Sequence, residues 1–229
     1  MIARLYPALR RVRASTSGVA VAEFALVLPF LLTASLFGLE LANQAIVQME
    51  ISQLAMQIAD NASRVGDTST LQNRKIYESD IDDLLTGADV QSGTRIGLFS
   101  HGRVIISSLE VVPGTSDRQY IHWQRCLGRK NFVSAYGREG SGTDGRLAGM
   151  GPAGQEVTAF DDQAVIYAEI SYDYQPLIGE SFAFTHQMSA SASFVVRDDR
   201  DLTQIYQRDA AHPDAVAACD TYGTTVGST

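Results

Sequence analysis

Two cysteines and four histidines are spread thinly over the 229 residues, and most motifs that build catalytic or metal centres are missing. No CxxC pair occurs, so zinc-ribbon and thioredoxin-type chemistry has nothing to work with. His101, His122, His186 and His212 are dispersed and no HExxH is present, which leaves no metal-ligand spacing. The absence of GKS or GKT removes a P-loop. One literal GxGxxG, "GSGTDG" at residues 140–145, lies in a stretch with seven glycines between Gly137 and Gly154. A dinucleotide site needs a helix after that motif and an acidic residue on a following strand, so it reads as a flexible loop. "GESFA" at 179–183 falls short of GxSxG and lacks the strand and helix of a nucleophile elbow. "DDRD" at 198–201 lacks calcium-loop spacing and reads as a solvated charge cluster. "NAS" at 61–63 is a glycosylation sequon, discounted because it falls on a helical stretch. With no paired catalytic set, the expectation is a non-enzyme that uses no cofactor.

Acidic residues are absent from the first 18 positions, which carry Arg4, Arg10, Arg11 and Arg13. The remainder holds 14 basic against 26 acidic side chains, a net of −12. A body that acidic repels phosphate, so nucleic acid is excluded as an expected partner. Hydrophobic content of 45% with 19% charged residues suits a folded chain and argues against global disorder.

Between Val19 and Leu39 the only charge is Glu23, and Glu40 closes the run. Some 20 apolar residues at ~1.5 Å each cross a ~30 Å hydrocarbon core, so the run is long enough to span a bilayer and contact membrane lipid. The arginines before it place the N-terminus in the cytoplasm by the positive-inside rule, with everything after Leu39 exported. Three readings compete. A cleaved secretory signal wants a small-residue site after the apolar core, and "LELANQAIV" offers none. A plain signal anchor explains the span but gives Glu23 no task. A cut between Gly18 and Val19, before the apolar run, is the third.

The third reading carries a resemblance. "SGVAVAEFALVLPFLL" is similar to the N-terminus of type IV pilin-like precursors, and specifically resembles the TadE-like minor pseudopilins of tight-adherence (Flp) pili. The resemblance implies a prepilin peptidase cutting on the cytoplasmic side after Gly18, leaving Val19 first, Glu23 fifth and Phe24 sixth. It implies that Glu23 pairs with the new α-amino group of a neighbouring subunit during assembly, an attraction much stronger at low dielectric than in water. The alternative is that Glu23 simply sits at headgroup depth. Pro29, which removes one helical hydrogen bond and kinks the axis, is compatible with a pilin-like stem. Implied partners are the prepilin peptidase, other pilin and pseudopilin subunits, the inner-membrane assembly platform and lipid. The implied location is a single pass in the inner membrane with a periplasmic C-terminal domain, or the extracellular pilus itself. An unprocessed single-span protein with an exported binding domain is the other reading.

Beyond the span, Val47, Ile51, Leu54, Ile58, Ala62 and Val65 recur at helical spacing, opposite Gln48, Gln53, Gln57 and Asn61. This predicts one helix from Val19 to about Arg64, stopped by Gly66, with its stripe packed on the exported domain. "ESDIDDLLTGADV" predicts a short helix over 79–86 ended by Gly87. "TRIGLFS" and "RVIISSLEVVP" predict strands around a hairpin-like "HG". "QYIHWQRCLG" predicts a third strand with Ile121, Trp123 and Arg125 on one face, and "AVIYAEISYDY" and "FAFTHQMSASASFVVR" two more around the turn "PLIGES". The expected fold class is α+β: a long N-terminal transmembrane and stem helix plus an antiparallel sheet of four to six strands, pilin-like. The layout is leader 1–18, membrane and stem helix 19–65, exported domain 66–200 and tail 201–229. "QRCLG", "MGPAG", "YAEISYDYQPLIGE" and "FVVRDD" extend the resemblance in order across residues 18–200, while the tail departs from it. Cys126 and Cys219 both fall on the exported side, where one disulfide is expected to tie the tail to the sheet. Two unrelated buried thiols are the alternative.

Overall fold

A computed structural model describes residues 17–67, 73–197 and 199–227. Residues 1–16 of the arginine-rich leader lie outside the described residues, as does Asp198 of the "DDRD" cluster. In chain order come α1 (Ser17–Arg64), α2 (Glu78–Ile96), the single turn α3 (Leu98–His101), β1 (Gly102–Val111) and β2 (Gln119–Leu127). They are followed by β3 (Val165–Asp173), a 3-10 turn (Glu180–Phe182) and β4 (Gln187–Val195). The four strands form one antiparallel sheet in the order β2-β1-β3-β4. The class is therefore α+β, with a long apolar N-terminal helix and a four-stranded antiparallel sheet.

Two compact units divide the chain. One joins α1 up to Gln44 with the segment Pro176–Phe184 from the β3–β4 connection; the other holds Ala45–Gln175 and Thr185 onward. Helix α1 belongs to both, and its 48 residues make it about 72 Å long.

In the larger unit the helical stripe is the core. Val47, Ile51, Leu54, Ile58 and Ala62 are all buried, while Val65, one residue past the helix, is only half-buried. Removing each large aliphatic side chain from water contributes roughly 1.5–3 kcal/mol. That burial fixes the second half of α1 in the larger unit. Register places Val104, Ile106, Ile166, Ala168, Ile170 and Tyr172 on one sheet face. Polar tethers to the helices fix that side: Gln48 Nε2 donates to the Ser189 carbonyl (3.1 Å), and the Tyr172 hydroxyl donates to the Ile96 carbonyl (2.8 Å). On the opposite face Leu109, Ile121, Val165 and Tyr167 form a cluster with Met150 and Ala159 from the long β2–β3 connection. Because both faces are covered, β1 is buried along almost its whole length.

Four sequence expectations fail for local reasons. Helix α2 does not stop at Gly87 but continues to Gly93, where φ of 64° and ψ of 176° break the helical path before a last turn to Ile96. A mid-helix glycine costs only about 1 kcal/mol, and the turns after Gly87 bury Ala88 and Ser92. The stop comes at Gly97, whose φ of 55° and ψ of 53° form a left-handed cap with its N–H on the Gly93 carbonyl (3.0 Å). "TRIGLFS" is consequently helix and cap rather than strand, and "HG" marks the passage from α3 into β1, not a hairpin. In β2, Ser108 pairs with Trp123 but Leu109 with Ile121, so His122 is an extra residue in a bulge. The bulge separates Ile121 from Trp123 and Arg125, which therefore do not share its face.

The glycine-rich loop is also more constrained than expected. Ile121 N–H donates to the Ser141 carbonyl (2.9 Å) and Gly140 N–H to the Ile121 carbonyl (2.7 Å), pinning residues 140–141 to β2. At Gly142, with φ of 97°, an added Cβ would stand 2.3 Å from the Gln119 carbonyl oxygen, so close approach requires glycine.

Candidate functional site

The segment that the sequence singles out is the first half of α1. Gly18, Val19, Glu23 and Phe24 lie on its first two turns, all exposed, and a Cβ built at Gly18 meets nothing within 4 Å. Leu26 and Phe30 are 70% and 77% exposed, and Val21, Val27 and Leu31 are likewise open. None of this apolar stretch is buried within the molecule. Among the described residues, one helix is thus long and apolar enough to cross a membrane. So large an uncovered apolar surface requires a nonaqueous partner. Among the described residues, no side chain bonds Glu23. Helix α1 continues through Pro29, and the Thr33 hydroxyl donates to the Pro29 carbonyl (2.7 Å).

Near the end of the apolar run the same unit contains a contact that sequence reasoning missed. Glu40 is fully buried: its carboxylate accepts the N–H groups of Leu177 (3.3 Å) and Ile178 (2.7 Å). One turn earlier Phe37 packs against Phe182 and Phe184, with ring centroids 4.8 and 5.8 Å away. Glu40 thus holds the β3–β4 connection against the helix. Only the apolar character of "PLIGESFAF" hinted that this connection was more than a turn.

In the larger unit Cys126 and Cys219 are bonded, with Cα atoms 4.7 Å apart and a separation of 93 residues. The tail lies against the edge of β2, with the Cys126 N–H on the Ala217 carbonyl (2.8 Å) and the Gly128 N–H on the Gly223 carbonyl (2.9 Å). Arg103, fully buried on β1, donates to the carbonyls of Gly128 (2.9 Å), Thr221 (2.8 Å) and Cys219 (2.8 Å), and stacks on the Tyr222 ring at 4.1 Å. Both arginine forks therefore reinforce what the disulfide ties, an arrangement suited to a planar guanidinium.

Arg200 corrects the reading of "DDRD" as solvated. It is buried and donates to the carbonyls of Ala62 (3.4 Å), Ser63 (3.1 Å) and Val65 (2.7 Å), satisfying the end of α1 where the helix dipole favours a cation. Asp201 beside it accepts from the hydroxyls of Thr203 (2.6 Å) and Tyr206 (2.6 Å), which hold its pKa below the usual carboxylate range.

The histidines are dispersed. His122 bonds Glu110 (2.9 Å), and that hydrogen bond raises its pKa against the opposing effect of burial. His212 bonds Asp209 (2.9 Å) on the surface, and His101 and His186 are exposed. Burial raises the pKa of Glu169, with bonds to Ser134 and the Ala135 backbone opposing it. Burial, then Glu78, Asp214 and Asp83, push Asp82 up to about 6, against the lowering effect of Arg125. Arg125 is held by Glu78 (3.0 and 2.5 Å) and Glu139 (3.2 Å). Among the described residues, no group of three or more His, Cys, Asp or Glu is placed to hold a metal ion. Comparison with protein-family models, curated proteins and solved structures finds no match.

Proposed function

We propose that this chain is a TadE-like minor pseudopilin that takes part in assembling or initiating a tight-adherence (Flp) pilus. A prepilin peptidase cuts it after Gly18, and α1 from Val19 onward anchors it in the inner membrane with the sheet unit in the periplasm. The observation that carries this reading is Glu23. It is the single charge in an exposed apolar helix surface, five residues beyond Gly18, with no bonded side chain in the described chain. A carboxylate kept at the edge of a membrane span is expensive unless it meets a cation, and the α-amino group of Val19 in an adjacent subunit supplies one. The α+β layout, in which the second half of α1 forms the core beside an antiparallel sheet, supports a pilin-like stem and head. The disulfide suits an oxidising compartment.

The second reading is an uncleaved anchor with an exported binding module. It is favoured by one fact: Ser17 and Gly18 are already helical, so the Gly18–Val19 bond lies in the first turn of α1. A peptidase would have to draw that turn out, which a frayed helix end permits at small cost. Immunoblots of cells producing the wild-type chain and Gly18→Val separate the two. On the pseudopilin reading the wild type migrates as the shorter product and the variant stays at precursor length. Identical mobility at precursor length supports the uncleaved anchor.

A further inference from the structure

The geometry points to the connection Pro176–Phe184 as a second membrane contact, an apolar wedge seated in the outer leaflet beside α1. This inference rests on α1 being a membrane span and is independent of any role in a pilus. Six of the nine residues in this segment are apolar. Leu177 and Phe184 are 60% and 65% exposed, and neither is needed to fill the interior of the unit. Depth follows from the helical rise: with Val19 at the inner edge of the hydrocarbon, Phe37 lies ~27 Å along the axis and Glu40 ~32 Å, against a core of ~30 Å. Phe182 and Phe184, packed on Phe37, are therefore level with the last turn of the span. Leu177 and Ile178, bonded to Glu40, are level with its boundary.

Charge agrees with this placement. Without the connection, Glu40 would present a carboxylate at the membrane surface; with it, that carboxylate is buried and takes two backbone N–H groups. Those N–H groups are in turn satisfied, as an irregular backbone near lipid requires. Leu36, Leu39 and Leu41 are exposed on the adjoining helix surface, so the apolar face of α1 and that of the wedge are continuous. Glu180 is the one ionisable residue of the wedge, exposed at the 3-10 turn beside Gly179 and Ser181, a position suited to headgroup depth. Lipid is the occupant that this continuity selects, because the same surface already requires it for α1.

The test uses the full chain, oxidised so that Cys126 and Cys219 stay paired and unlabelled, in lipid nanodiscs. A polarity-sensitive fluorophore is attached at Leu177→Cys or Phe184→Cys, with Leu32→Cys as a mid-span reference and Val133→Cys as an exposed reference on the sheet unit. Nitroxide near the top of the acyl chains should quench the probes at 177 and 184, while aqueous iodide leaves them bright; the Val133 probe should do the reverse. Probes at 177 and 184 that behave like Val133 while Leu32 is shielded from iodide overturn the wedge and leave the span intact. An iodide-quenched Leu32 probe overturns the span and the wedge with it. Probes at 177 and 184 reached by neither quencher would mean a protein occupant, such as a second copy, and also overturn the inference.

Discussion

At the scale of single residues, two carboxylates have opposite standing. Glu23 is exposed on an apolar helix and, on the proposed reading, exists for a partner outside the chain. Glu23→Gln is nearly isosteric and cheaper to insert, but it cannot neutralise an incoming amine. We expect membrane fractionation and protein level to be unchanged while pili, counted by electron microscopy, are lost; normal piliation would sink the pairing. Asp82 is a residue the fold tolerates rather than needs. Its Oδ1 is buried with no hydrogen-bond partner among the described residues, and its pKa rises from 3.8 to about 6. A raised carboxylate pKa means that the native state holds the proton more tightly than the unfolded chain. Stability from this group therefore falls as pH rises from about 4 through about 6 and is flat above. Asp82→Asn should raise stability at pH 7 by on the order of 1 kcal/mol, allowing for solvent screening, and leave it unchanged below about pH 4. Denaturant melts at the two pH values check this, and an equal gain at both would assign the effect to packing.

At the scale of elements, the tail depends on the sheet for its order. The 93-residue separation closed by Cys126–Cys219 is worth about 4–5 kcal/mol in the chain-entropy account, and Arg103 adds two carbonyl bonds to the same tail. Replacing both cysteines by serine should lower stability by roughly 2–5 kcal/mol and open residues near 210–225 to protease. Limited proteolysis with mass mapping reads this directly; a tail equally protected in the double variant would mean that Arg103 suffices. Elements governed by a single periodic signal were legible in the sequence. The stripe from Val47 to Ala62 marked α1, and strand-like runs marked β1 to β4. What was not legible is decided by contacts between distant segments. Gly87 reads as a stop until the burial of Ala88 and Ser92 beyond it is known, and the bulge at His122 leaves no local mark. Arg200 looked like one more charge in an acidic run, because nothing nearby in sequence shows that it faces the end of α1. Glu40 likewise looked like a boundary residue, although its partners lie more than 130 residues away.

For the whole molecule, the division into an apolar unit and a sheet unit matches two different environments. The apolar unit exposes leucine, valine and phenylalanine on nearly every side of α1, and its buried carboxylate is turned onto backbone amides. The sheet unit is covered on both faces, closed by a disulfide and rich in acidic residues, which on the proposed reading suits the periplasm. On the proposed reading, cleavage before the apolar unit converts an anchored precursor into a subunit able to join a fibre. The most direct measurement is the N-terminal peptide of the protein isolated from piliated cells, identified by mass spectrometry beside protein from cells lacking the prepilin peptidase. The account predicts a first residue of Val19 in the former and residues upstream of Gly18 retained in the latter. A chain that still begins at Met1 in piliated cells would contradict it.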